Sequence, residues 1–200
     1  MSSIATELVE LNEMIRCMPA ERRTRALKHI SNLLVQIAEH CRAEHLDVFD
    51  DVLSELIVDA DSGTLSALSR LLADTTNAPT KLIERLALDN DITVAEPVLM
   101  KSCCISDEAL CRIARAKSES HRLAIACRPR LSPAVTDLLL DDGEAVVVRY
   151  VTFNQGAQFS DAGIRALAKA SGTDGELATL ISQRKDLAGR IGPRGRSIAR

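Results

Sequence analysis

From residue 79 onward the chain repeats itself, and this repetition limits the fold more than any other feature. With Pro79, Ser106, Ser132 and Ser160 as starts, four units close at Ile105, Leu131, Phe159 and Leu187, with lengths of 27, 26, 28 and 28 residues. Three starts are serines followed by Asp107, Pro133 or Asp161. A serine hydroxyl accepts from the free N–H groups of a first helical turn, an acid there complements the helix dipole, and a proline has no N–H to lose. Each unit then places a stripe of apolar residues at helical spacing: Ile83/Leu86/Ala87, Leu110/Ile113/Ala114, Leu139/Leu140 and Ile164/Leu167/Ala168. A polar break follows, and after it a second stripe: Val94/Val98/Leu99, Leu123/Ala124/Ile125, Val147/Val148/Val151 and Leu177/Leu180/Ile181. One helix pair cannot bury its apolar face alone, so pairs of this kind stack on their neighbours. The predicted fold class is all-α: an α-α superhelix, or solenoid, of four helix-pair repeats spanning 79–105, 106–131, 132–159 and 160–187.

Residues 1–77 read as a helical cap on that stack. Ile4, Leu8, Leu11, Ile15 and Met18 recur at steps of three and four and predict a first helix ending before Pro19. Leu27 to Cys41 predicts a second, Val48 to Ile57 a third, and Leu65 to Leu72 a fourth, with Ser62 or Thr64 as its N-cap. No alternating run is long enough for a strand, and Val146-Val147-Val148 lies inside a helical pattern. The tail from residue 188 holds four arginines and no acid, with little to bury, and is expected to be disordered.

Several stretches in fixed order resemble one bacterial family. They are Phe49-Asp50-Asp51-Val52-Leu53, Arg85-Leu86-Ala87-Leu88-Asp89, Val94-Ala95-Glu96-Pro97-Val98-Leu99, His121-Arg122-Leu123-Ala124-Ile125-Ala126, Leu131-Ser132-Pro133-Ala134-Val135-Thr136-Asp137 and Phe159-Ser160-Asp161-Ala162-Gly163. Together they are similar to the bacterial, mainly alphaproteobacterial, domain of unknown function two-three-three-six, over about Glu21 to Leu187. The resemblance implies HEAT-like helical repeats and carries no catalytic residues with it. Members of that family are often longer, so a function housed in a longer member's C-terminal part is not expected here.

Composition narrows the function classes. A formal net charge of −3, three Phe, one Tyr and no Trp argue against nucleic-acid binding, which wants basic surfaces and stacking platforms. No apolar run spans a bilayer and no charged-then-apolar leader opens the chain, so a cytoplasmic protein is expected. The six cysteines (17, 41, 103, 104, 111 and 127) then read as free buried thiols. Cys103, Cys104, Cys111, Cys127 and His121 fall in two neighbouring units without the paired two-to-four-residue spacing of zinc ligands, and Cys41/His45 and His40/Glu44 lack further ligands. No metal and no cofactor are expected. Nor is there a nucleophile elbow, Walker loop, H-E-x-x-H or dinucleotide glycine pattern, so the chain is not expected to be an enzyme.

The strongest site signal is basic. Arg112, Arg115, Arg122, Arg128 and Arg130 share the second repeat, and Pro129 is expected to hold Arg128 and Arg130 outward. An arginine fork suits carboxylates and phosphates. The expected function is a protein-interaction scaffold or adaptor for an unidentified partner protein. The alternative is a signalling module sensing an anionic small ligand, a nucleotide or cyclic dinucleotide, through the same arginines. A solenoid also exposes the apolar face of its last unit, so a homo-oligomer formed through the C-terminal end is a further expectation.

Overall fold

The computed structural model describes residues 14, 17–141 and 143–191, and among these the chain is helical almost throughout. Among the described residues twelve α-helices are bounded, in order: α1 Ala20–Ile37, α2 Ala43–Leu56, α3 Ser62–Ala73, α4 Thr80–Ala87, α5 Ile92–Lys101, α6 Asp107–Ala116, α7 Glu119–Ala126, α8 Pro133–Asp141, α9 Ala145–Phe153, α10 Asp161–Ala170, α11 Gly175–Gln183 and α12 Lys185–Ala188. A 3-10 turn, Ala38–His40, follows α1. The only β feature among the described residues is a single parallel bridge between Leu131 and Ala157. The protein is all-α. The helix predicted from Ile4 lies almost wholly outside the described residues, as does the tail from Gly192.

Two compact units divide the chain, residues 1–105 and 106–200. In the first, α1, α3 and α5 pack one on the next, while α2 and α4 form a second layer. Small residues let α3 approach α5 closely: Ser66, Ser69 and Ala73 are buried, the Ser66 hydroxyl donates to the Thr93 carbonyl at 2.8 Å, and the Ser62 hydroxyl donates to the Asp91 carboxylate. In the second unit α6, α8 and α10 make one layer and α7, α9 and α11 the other. Helix n meeting helix n+2 is the geometry by which helix pairs bury what a lone pair leaves open. The apolar positions do as their spacing demands. Ile83, Leu86, Val98, Leu99, Ile113, Ile125, Leu139, Val147, Val151 and Leu167 are all within 1% of complete burial.

Helix starts follow local chemistry. Ser106, Ser132 and Ser160 accept from the N–H groups of Ala109 (3.2 Å), Val135 (3.5 Å) and Gly163 (3.1 Å). The acids Asp91 and Asp174 cap α5 and α11 in the same way, at 2.9 and 3.0 Å. At α3 the cap is Asp61, which accepts from Thr64 N–H at 2.9 Å, rather than Ser62 or Thr64. A carboxylate one residue earlier offers the stronger acceptor to the same orphan donors. Helix α4 starts after Pro79, which has no side-chain cap; Asp50 of α2 supplies it, accepting from Lys81 N–H at 3.1 Å and Leu82 N–H at 2.7 Å. Burial pushes the Asp50 carboxyl up from the ordinary range, against the pull of these two N–H groups.

The C-terminal end differs from expectation. Leu187 of α12 and Ile191 are 1% and 4% exposed and pack with Val148, Ile164, Leu167, Leu177 and Ile181. Ile191, which the sequence reading puts in a disordered tail from residue 188, is thus packed against the last helix pair, at the end that the sequence offers for a homo-oligomer contact. A four-residue helix is too short for a convincing periodic signal, which is why the reading missed it.

Candidate functional site

The five arginines that the sequence groups together, Arg112, Arg115, Arg122, Arg128 and Arg130, do not form one surface. Arg112 and Arg115 lie on α6 and are exposed. The Glu108 carboxyl nearby is held below its ordinary range by its own backbone N–H, by the Ser106 hydroxyl and by the charge of Arg112. Arg122, on α7, is engaged. Its guanidinium donates to the carbonyls of Ala114 (3.2 Å) and Lys117 (2.8 Å) at the end of α6, and it pairs with the Glu144 carboxylate at the start of α9. That pairing holds the Glu144 carboxyl low. Arg122 thus satisfies carbonyls that α6 leaves orphaned and ties them to the next helix pair.

Arg128 corrects the sequence reading outright. It is only 9% exposed, turned into the protein rather than held outward by Pro129. It sits in the turn closing α7, where its N–H donates to the Ile125 carbonyl at 3.1 Å, and its own carbonyl accepts from Asn154 Nδ2 at 2.7 Å. After Pro129 the chain extends, with Leu131 N–H donating to Gly156 O and Gln158 N–H to Leu131 O. Successive side chains of an extended segment face opposite ways, so Arg130 is exposed and Leu131 is buried. Of the five, Arg112, Arg115 and Arg130 face solvent. Lys101 pairs with Asp74 at 3.1 Å, and Arg149 with Asp174 (2.9 Å) and Glu176 (2.7 Å).

Sequence reasoning missed a series of side-chain clasps at the loops that follow α3, α9 and α11. Asn77 Nδ2 donates to the carbonyls of Ala38 (2.8 Å) and Cys41 (3.1 Å). Asn154 Nδ2 donates to Ala126 and Arg128, both at 2.7 Å, while its Oδ1 accepts from Gly156 N–H at 2.8 Å. Arg184, 3% exposed, donates to the carbonyls of Thr152 (3.3 Å), Asn154 (2.5 Å) and Ala157 (3.1 Å), pairs with Asp186, and stacks its guanidinium over Phe159 at 5.0 Å. A signal for the two asparagines was present: Thr75-Thr76-Asn77 and Thr152-Phe153-Asn154 share a T-x-N pattern.

An apolar stripe was missed as well. Tyr150 and Phe153 of α9 are 48% and 65% exposed, and Val146 lies one turn before them on the same face, half-buried. Seven of the nine residues of α9 are apolar, more than one buried face accommodates. His121 is buried, with Nδ1 2.8 Å from the Ser118 hydroxyl, and acts as an internal tie at the start of α7. His45 Nδ1 accepts from Arg42 N–H at 3.4 Å at the start of α2. All six cysteines are free, yet Cys17, Cys103 and Cys127 are exposed and the rest half-buried, so the reading of them as buried is corrected. They lie largely at turns, where apolar spacing says nothing about depth. Among the described residues no three of His, Cys, Asp and Glu gather closely enough to hold a metal ion. Likewise, no helix among them is long and apolar enough to cross a membrane.

The family described as "Uncharacterised protein conserved in bacteria (DUF2336)" matches residues 94–193, half of the chain, from the first turn of α5 past α12. No curated protein and no solved structure matches the chain.

Proposed function

The chain thus belongs to the bacterial DUF2336 family, and we propose that it serves as a non-enzymatic, cytoplasmic protein-interaction scaffold whose stacked HEAT-like helix pairs hold a recognition surface rigid. The observation that supports this reading is the Val146–Tyr150–Phe153 stripe. Two of the chain's four aromatic residues stand on the solvent side of one buried, well-anchored helix. Exposed aromatics on a rigid element lose little conformational entropy on docking, and such residues dominate protein–protein affinity. Arg130 adds a solvent-facing charge. The mechanism is presentation: α9 supplies the anchor, and its neighbours α7 and α11 fix where it points.

The test is crosslinking capture from a bacterial host, quantified for wild type and for Tyr150→Ser/Phe153→Ser. The expected result is at least a tenfold loss of the captured partner, about 1.4 kcal/mol or more, with helical content and melting temperature unchanged. Equal capture by both proteins overturns the stripe. Charge reversal at Arg130 is the matching probe of the basic side; the same change at Arg128 would instead place an acid in the interior. The competing reading, an anion sensor, keeps Arg112, Arg115 and Arg130 as its exposed forks. Nucleotide mass retained in a native mass spectrum of the purified protein would favour it over the scaffold.

A further inference from the structure

The loop after α5 carries two adjacent thiols that converge on one oxygen. Cys103 Sγ lies 3.6 Å and Cys104 Sγ 3.5 Å from the Thr76 carbonyl oxygen. Cys104 reaches the Thr75 carbonyl too, at 3.7 Å, and accepts from Ala78 N–H at 3.4 Å. The pair therefore clasps residues 75–78 much as Asn77 clasps the turn before it. Cys103 is exposed and Cys104 half-buried, so one sulfur is open to an incoming reagent and the other stands beside it. No third His, Cys, Asp or Glu joins them among the described residues. Two sulfur ligands fall short of the four that a structural zinc ion takes, and they match the two that a trivalent arsenic already bonded to one carbon takes.

We propose that Cys103 and Cys104 form a dithiol capture site for a soft trivalent electrophile of the organic arsenoxide class, and that loading releases the clasp on Thr75 and Thr76. An arsenoxide, R–As=O, condenses with both thiols: two S–As bonds form, the As=O bond breaks, and the two thiol protons leave with that oxygen as one water. Arsenic stays trivalent and no electrons change hands. Cys103 reacts first because it is exposed. Burial pushes the Cys104 thiol up, which keeps it protonated until the arsenic is held beside it. Once both protons have left, neither sulfur can donate to the carbonyls of Thr75 and Thr76. The second S–As bond forms within one molecule, so capture withstands competing monothiols.

The test uses the reduced full chain and phenylarsine oxide in the presence of excess glutathione. One arsenic per chain is expected, with two of the six thiols lost to titration and the adduct mapped to the peptide holding residues 103 and 104. A small dithiol should remove it. Cys103→Ser, at an exposed position where a hydroxyl can still reach Thr76, should fold as wild type and lose at least about a hundredfold in arsenical affinity. Amide exchange at residues 75–78 should rise on loading of the wild type only. Capture that persists in Cys103→Ser, an adduct on other cysteines, or no capture under glutathione overturns the site; capture with unchanged exchange overturns the release of the clasp.

Discussion

Arg184 brings a charge into the second unit and leaves none of it unpaired. Its donors serve three carbonyls, the Asp186 carboxylate takes the fork, and Phe159 covers one face. Arg184→Met removes those donors and strands carbonyls that are dry; the expected loss is about 3 kcal/mol in urea unfolding. Arg184→Lys should recover only part of it, because an ammonium cannot span the same fork. Two other residues test packing from opposite sides. A Cβ at Gly156 would sit 1.9 Å from the Pro129 carbonyl oxygen, so Gly156→Ala should cost about 2 kcal/mol. Thr136 is fully buried and its hydroxyl has no hydrogen-bond partner, so Thr136→Val should raise stability by about 1 kcal/mol. At this scale the sequence was only partly legible. Leu139 or Ile113 can be read as buried from spacing alone. Arg184 sits in Gln183-Arg184-Lys185, which looks like a solvated charge run, and its carbonyl partners are 27 to 32 residues away. Arg128 misled for the same reason: the depth of a long cation is decided by its surroundings, not by the proline beside it.

Helix ends set the acid response. Asp61, Asp91 and Asp174 cap α3, α5 and α11, and hydrogen bonds to their carboxylates hold all three below their ordinary value. For each, the unfolded chain takes up the proton first as pH falls. Their contribution is therefore complete above about pH 4 and is lost as pH drops through the lowered folded values. Asp50 has the opposite sign, since burial raises its folded value. Its ionisation opposes folding as pH rises from about 4 through that raised value. Melting temperature measured from pH 7 down to pH 3 should fall, and Asp50→Asn should make the fall steeper because the opposing contribution is gone. Serine caps were legible in the sequence because cap and capped N–H lie three residues apart. Asp50 was not, because it caps a helix that starts some thirty residues later. The same limit hid the tie between Arg122 and Glu144, whose 22-residue separation becomes a contact only when neighbouring pairs stack.

The family match begins at Val94 and reaches residue 193, and the second compact unit spans 106–200. The unit has its own apolar cluster, closed at its end by Leu187 and Ile191. Residues 106–200 expressed alone should therefore fold, with a cooperative melt and helical circular dichroism; a broad, non-cooperative melt would show that this cluster is insufficient. All-α character and the pairing of helices were readable from periodicity, since stripes at helical spacing have only other helices to pack on. The site was less so, because a surface is defined by what packing leaves over, and α9 has more apolar side chains than its neighbours can cover. The clasps formed by Asn77, the Cys103–Cys104 pair, Asn154 and Arg184 carry a further consequence for descent. Each reaches back to the turn of a preceding helix pair, and amide, thiol and guanidinium donors do the same job. A segment duplicated in such a gene arrives with its own fastener and needs no change in the segments already present. Gain of a helix pair should then call for few compensating changes, whereas loss of one fastener should loosen a single joint.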